Sequence, residues 1–301
     1  MENEFKSGFV TIIGKTNVGK STLINSLVGE KVAITANKSQ TTRTAIRAIV
    51  NRENSQIIFI DTPGIHKPKT KLGETMLETA YGTVSDVDVV LFLVDASKDE
   101  ITKGDRIILD KIKESKKKTI LILNKIDLIK REKLILLMDL YRQEYDFQAI
   151  IPISAIKNKK VEEILDEIEK YLKVGPAYYD IDEYTDQTSR QLVEEVIREK
   201  ALQLLDEEVP HGIYIETEKM ALRNTTKNEE IYDIEATIYC LRNSHKGIII
   251  GKSGNMLKRI GTYARQDLEK MLGTKINLKV WVKVRENWQD KDDIVKKFKF
   301  N

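Results

Sequence analysis

Gly14-Lys15-Thr16-Asn17-Val18-Gly19-Lys20-Ser21-Thr22 follows an apolar run at 9–13 and opens a helical pattern over Lys20–Val28. A glycine-bearing turn between a strand and a helix leaves several backbone N–H groups unspent at the positive end of the helix. Together they can wrap a polyphosphate. Lys20 adds a point charge for the outer phosphates, and the Ser21 hydroxyl stands where a phosphate-bound magnesium ion needs a ligand. The bare pattern arises by chance in about one chain in a hundred of this length. Its place between strand and helix makes the alternative, a glycine turn with an exposed lysine, rarer still.

The pattern around this loop repeats its alternation. Apolar runs at 9–13, 45–51, 56–60, 87–94, 119–123 and 149–153 are interleaved with helical periodicity over Lys20–Val28, Lys71–Ser85, Lys103–Ser115, 131–145 and 161–172. Several of the runs are nearly continuous Val, Ile and Leu, as strands are when helices cover both sheet faces. A mostly parallel sheet is therefore expected. The runs 45–51 and 56–60 are joined by only four residues, which predicts a hairpin and one antiparallel strand. Gly175-Pro176 breaks the alternation and starts a linker to about 185. Beyond it the order changes: a helix at 189–207, strands at 212–223 and 231–241, helical segments on both sides of 251–254, a strand at 277–285 and a charged helical tail. The expected organisation is an α/β domain over 1–174, a linker over 175–185 and an α+β domain over 186–301.

Composition narrows the function classes. The 301 residues carry one cysteine, Cys240, which precludes an internal disulfide and a cysteine–zinc cluster. Three histidines, far apart in sequence, show no metal-type spacing. No apolar stretch approaches the length of a membrane span and no signal-like leader opens the chain, so a cytoplasmic protein is expected. The net charge of +3 conceals a segregation. Residues 181–235 hold 6 basic and 15 acidic side chains, and residues 236–301 hold 15 and 6. A polyanion is thus a reasonable partner for the last segment.

Three further motifs complete a nucleotide site. Asp61-Thr62-Pro63-Gly64 follows an apolar strand, so Asp61 stands at the strand's C-terminal end, facing the phosphate loop. A carboxylate there holds the metal, usually through water, and the Gly64 N–H can bond a γ-phosphate. Asn124-Lys125-Ile126-Asp127 follows another buried-type strand. A carboxylate at Asp127 accepts from guanine N1–H and N2–H₂, a pair of donors that adenine lacks. Asn124 braces the loop and reaches the base, and the stem of Lys125 lies across the purine. Ser154-Ala155 closes the pocket, offering an N–H to guanine O6.

The second site is Ile248-Ile249-Ile250-Gly251-Lys252-Ser253-Gly254, followed by Met256-Leu257-Lys258-Arg259. Two glycines between short helices let a sugar–phosphate chain approach the loop N–H groups, while Lys252, Lys258 and Arg259 supply charge. Apolar groups at Ile248–Ile250 and Met256–Leu257 would line a groove for unpaired bases. Trp281 and Tyr263, flanked by apolar residues, are expected in the core. The acidic helix near 194–208 is expected to present a solvated face, its stripe of Leu192, Val196, Ala201, Leu204 and Leu205 packing inward.

The four nucleotide elements resemble the phosphate-binding and base-reading motifs of the translation-factor-like GTPases. Between them, Ser39-Gln40-Thr41-Thr42-Arg43 resembles the first switch of that group, where a threonine joins Mg while the γ-phosphate is present. Thr42 is the first choice for this ligand and Thr41 the second. Ile65 stands where a Ras-type enzyme has a water-orienting glutamine, so unassisted hydrolysis should be slow. Asn17 resembles the asparagine that places K⁺ beside the phosphates in potassium-activated relatives; it is equally suited to a turn. The glycine loop resembles that of a type II KH domain, and the whole chain resembles the Era GTPases. That resemblance implies Lys20, Thr42 and Gly64 as catalytic groups, with GTP or GDP and Mg bound at Gly14–Thr22, Asp61–Gly64, Asn124, Lys125, Asp127, Ser154 and Ala155. It implies the 3′ end of 16S ribosomal RNA and the 30S subunit as partners of a monomer. It also implies peripheral association with the inner face of the cell membrane, for which no lipid-directed segment is visible. A second class, a nucleotide-gated module docking on protein or lipid, is disfavoured by the glycine loop.

Overall fold

A computed structural model describes residues 4–36, 38, 41–65, 68, 70–98, 100–226 and 228–298; Ser39 and Gln40 of the threonine-rich loop lie outside them. The chain separates into two compact units, chiefly Met1–Ala33 with Thr42–Asp186, and Ile34–Thr41 with Gln187–Lys297.

In the first unit the order is β1 (Lys6–Ile13), α1 (Lys20–Val28), β2 (Ile46–Arg52), β3 (Ser55–Asp61), α2 (Lys71–Ser85), β4 (Val89–Asp95), α3 (Lys103–Ser115), β5 (Lys118–Asn124), α4 (Arg131–Glu144), β6 (Ala149–Pro152), α5 (Glu162–Glu169) and β7 (Lys173–Val174). The sheet runs β2-β3-β1-β4-β5-β6. Its strands pair in parallel except β2, which is antiparallel to β3 in the expected hairpin, and the short β7, antiparallel to the start of β1. Alternate residues serve opposite faces. Leu91, Leu93, Ile120 and Ile122 join one buried cluster, and Val90, Phe92, Leu121 and Leu123 join the other. Burial on both sides is why these strands read as unbroken apolar runs. Parallel strands bring the C-terminal ends of β1, β3, β5 and β6 to one edge. From β1 the strand order proceeds in both directions, which leaves a crevice there.

The segment expected to be a free linker is instead pinned. The Ser7 hydroxyl donates to the Pro176 carbonyl at 2.7 Å. Gln56, fully buried, accepts from the N–H groups of Tyr178 and Tyr179 at 2.7 and 3.0 Å and donates to the Tyr179 carbonyl at 2.8 Å. Ile49 N–H donates to the Tyr184 carbonyl at 2.9 Å, and Arg47 pairs with Asp186 at 2.7 Å. The chain thereby covers the open edge of β2, which would otherwise expose unpaired backbone groups.

The second unit holds α6 (Ser189–Leu204), β8 (Ile213–Asn224), β9 (Glu230–Cys240), α7 (Asn243–Ile250), α8 (Asn255–Leu272), β10 (Lys275–Val284) and the short α9 (Asp292–Val295). The sheet order is β10-β9-β8, with β9 parallel to β10 and antiparallel to β8. Val193, Val196, Ile197, Ile234, Ile238, Ile260 and Leu268 form the core between helices and sheet. The tail folds back: the buried Trp288 donates from Nε1 to the Gly212 carbonyl at 2.9 Å.

Three expectations fail here. Trp281 and Tyr263 are 41% and 43% exposed rather than core. On β10 the apolar neighbours of Trp281, Val280 and Val282, point to the opposite face, as strand alternation requires. The acidic helix α6 is not simply a solvated face either, since Arg198, Glu199 and Lys200 are all buried. Among the described residues no helix is long and apolar enough to cross a membrane.

Candidate functional site

The loop after β1 folds around Lys20. Its ammonium donates to the carbonyls of Gly14 at 3.1 Å and Lys15 at 3.0 Å, and the side chain is buried. Burial pushes the Lys20 amine down to about 8, with the Asp61 carboxylate pulling the other way. Lys15 turns its own side chain away, to Thr102 of the α3 cap at 2.6 Å. Asn17 has a left-handed backbone (φ 64°) and an exposed side chain, and its carbonyl accepts from Lys125 at 2.8 Å. Thr22 continues α1.

Asp61, fully buried at the end of β3, accepts from the hydroxyls of Ser21 at 3.2 Å and Thr42 at 3.1 Å. The two hydroxyls lie 3.0 Å from each other. The structure therefore brings Thr42 to this cluster, while the Thr41 hydroxyl donates to the carbonyls of Lys38 and Ala36. Three hard oxygens so placed are the donor set magnesium favours, and the hydroxyl separation matches the edge of about 2.9 Å in an octahedral shell. Magnesium fits these residues. Thr62 anchors the next turn by donating to the Ile12 carbonyl at 2.9 Å, and Pro63 is buried behind it. Gly64 follows in close approach: a Cβ there would lie 2.8 Å from Thr16 Cγ2 and 3.2 Å from Lys20 Nζ. Any larger residue there would press on Thr16 and on the lysine. Ile65 is held at the same edge by an N–H bond to the Gly14 carbonyl at 3.3 Å.

The base-reading elements interlock. Asn124 donates to the Val18 carbonyl at 2.8 Å and accepts from Ala155 N–H at 3.0 Å, so one amide ties the phosphate loop to the closing loop. The Ser154 hydroxyl donates to Asp127 at 2.7 Å. That bond, ahead of the opposing effect of burial and with help from Lys157, holds the Asp127 carboxyl below its usual range. It is ionised at neutral pH and accepts only, as guanine's two donors require. Sequence reasoning missed Asp95, whose carboxylate grips Lys125 at 2.6 Å. Burial would raise its pKa, but the Lys125 and Ser97 bonds prevail and lower it. The available signal was an acid ending the apolar strand β4, the position Asp61 holds on β3.

In the second unit, Gly251 and Gly254 flank a loop with left-handed φ at Gly251 (71°), Ser253 (51°) and Gly254 (77°). A Cβ on Gly254 would meet nothing within 4 Å, so its surface is open as well as backbone-permissive. Lys252, Lys258 and Arg259 are exposed and have no ion-pair partner among the described residues. By contrast Arg265, Lys275, Lys283 and Arg285 pair with Glu269, Glu229, Glu218 and Asp293. Ile248 is half exposed, and Ile250, Met256 and Leu257 are half-buried. Ile249 is fully buried, which corrects its expected place in the groove: its side chain turns into the core between α7 and the sheet.

Family models match both units: "50S ribosome-binding GTPase" over residues 9–125 and "KH domain" over residues 208–289. The chain is 51% identical to GTPase Era of Alkaliphilus metalliredigens, over 97% of this chain and 98% of the relative. It is 50% identical to GTPase Era of Clostridioides difficile over 99% of each. Among solved structures it resembles Era in complex with MgGDPNP and nucleotides 1506–1542 of 16S ribosomal RNA (TM-score 0.93, 39% identity, 98% of each chain). It also resembles an Aquifex aeolicus Era variant bound to GDP and AlF4⁻ (TM-score 0.92, 38% identity, 98% of this chain and 99% of that one).

Because the lysine is partly neutral above pH 8, a triphosphate binding there must draw a proton onto it. Affinity for GDPNP is predicted to be level below pH 8 and to fall above it, approaching tenfold per pH unit in the limit. Fluorescence titration from pH 7 to 9 checks this, and Lys20→Ala should remove the added slope.

Proposed function

The chain is a member of the Era GTPase family, and on that footing we propose that it is a nucleotide-controlled clamp for single-stranded 3′-terminal 16S ribosomal RNA, acting in 30S subunit assembly. It is a GTPase built on guanine-nucleotide binding. The observation that carries the RNA reading is the open loop Gly251–Gly254, with Lys252, Lys258 and Arg259 exposed beside it. Backbone that close to the surface, with unspent positive charge next to it, suits about four unpaired nucleotides. We further propose that it works in the cytoplasm as a monomer.

In the nucleotide site, Ser21, Thr42 and Asp61 would hold magnesium, directly or through water, and the ion would neutralise phosphate charge. Lys20 faces the outer phosphates, and Gly64 N–H is placed to bond the γ-phosphate once it is present. Asp127 reads guanine and Asn124 sets the loops around it. Ile65 cannot hydrogen-bond the attacking water, so the rate rests on backbone, on a cation or on a partner. Asn17, at the rim of the loop, is our candidate for placing K⁺ there.

Two measurements test these assignments. In filter binding with a short single-stranded RNA, Gly254→Asp should lose tenfold or more in affinity, on the order of 1.4 kcal/mol, with nucleotide affinity unchanged; equal retention would reject the RNA site. Turnover in K⁺ should exceed that in Na⁺, and Asn17→Ala should abolish the difference. Equal rates in the two salts would leave Asn17 as a turn former.

A further inference from the structure

The phosphate loop carries a second lysine, and its ammonium is held away from the cleft. Lys15 donates to the Thr102 hydroxyl at 2.6 Å, and that hydroxyl donates to the Asp105 carboxylate, also at 2.6 Å. Thr102 and Asp105 form the reciprocal cap of α3, with the Thr102 N–H donating to the same carboxylate at 3.1 Å. Lys15 stands 3.4 Å from that carboxylate, whose side chain is 2% exposed, and is its only ion-pair partner among the described residues. Without this cation a buried charge would be left uncompensated. The lysine stem reaches the cap across Gly104, where a Cβ would lie 2.6 Å from Lys15 Cδ. Glycine, hydroxyl and carboxylate together make a seat for one side chain.

The backbone of the same residue stands where two functional groups meet. The Lys15 carbonyl accepts from Lys20 at 3.0 Å. The Gly14 carbonyl accepts from Lys20 at 3.1 Å and from Ile65 N–H at 3.3 Å. Lys15 and Ile65 form a parallel bridge, and a Cβ on the neighbouring Gly64 would lie 3.2 Å from Lys20 Nζ. The Gly14–Lys15 peptide is thus a common post for Lys20 and for the segment that carries the Gly64 N–H. If the post shifts, both groups lose their alignment on the γ-phosphate, and a misplacement of about 1 Å can cost on the order of 100-fold in rate.

We propose that Lys15 is a positioning residue for GTP hydrolysis: moored to the Thr102–Asp105 cap across Gly104, its side chain fixes the peptide on which Lys20 and Gly64 align. The loop N–H groups that wrap the inner phosphates do not depend on Gly64 or Ile65. The mooring therefore bears on reaction of the triphosphate more than on binding of GDP. This role of Lys15 rests on the assignment of Gly64 to the γ-phosphate made above.

The full-length protein is compared with Lys15→Met, Lys15→Arg, Gly104→Ala and Gly64→Ala in magnesium, by single-turnover GTP hydrolysis and by calorimetry with GDP. Gly104→Ala leaves every charge in place and gives α3 a better helix former, so a slower reaction there does not come from a weakened helix. Lys15→Met and Gly104→Ala should each slow hydrolysis about fivefold or more beyond any change in GDP affinity. Combined, they should be no slower than the slower of the two, because each removes the same mooring. Lys15→Arg keeps the charge and the reach and should recover most of the rate. A wild-type rate in Lys15→Met or in Gly104→Ala overturns the mooring. So does full additivity of the two, or an arginine variant as slow as the methionine one. Hydrolysis by Gly64→Ala at the wild-type rate instead overturns the γ-phosphate assignment, and the role of Lys15 with it.

Discussion

Three oxygens from separate stretches of chain meet at one point: the Ser21 hydroxyl at the start of α1, the Asp61 carboxylate at the end of β3, and the Thr42 hydroxyl from the loop before β2. Their meeting requires β1 and β3 to be parallel neighbours, which they are, with Ile12 opposite Asp61. It also requires the glycine-bearing turn after β1 to point α1 back over the sheet edge. The charge of the same carboxylate acts on the buried Lys20 and opposes the loss of its proton. In water-poor surroundings a partner of opposite sign is what keeps such a lysine usable.

Much of this was legible in the sequence because it is local. Strand, turn and helix around Lys20 are consecutive, and Asp61, Asn124 and Ser154 declare themselves by following apolar runs. The alternatives left open were those that depend on distant chain. Thr41 and Thr42 are identical in type and adjacent, and only the fold turns one to Asp61 and the other back onto its own loop. Asp95 escaped notice because an acid at a strand end gains its meaning only from Lys125, thirty residues later.

The misreadings in the second unit share a cause. Trp281 was read from its neighbours in sequence, but along a strand the immediate neighbours belong to the other face. Ile249 was read with Ile248 and Ile250 as one apolar group, whereas a helix spreads three consecutive residues around its axis, and of the three only Ile249 is fully buried. On α6 the charges at Arg198, Glu199 and Lys200 suggested solvent. Nothing local shows that Thr35, Thr41 and Asp267 supply their partners. Likewise, the segment after Gly175-Pro176 reads as a tether because its hydrogen bonds go to β1, β2 and β3, more than a hundred residues earlier.

The most direct measurement is a magnesium titration of nucleotide binding by wild type and Thr42→Ala. If the three-oxygen cluster is the metal site, the variant loses at least about tenfold in magnesium-dependent affinity for GDPNP and keeps wild-type affinity for GDP. Identical magnesium curves for the two proteins with GDPNP would contradict the account at its centre.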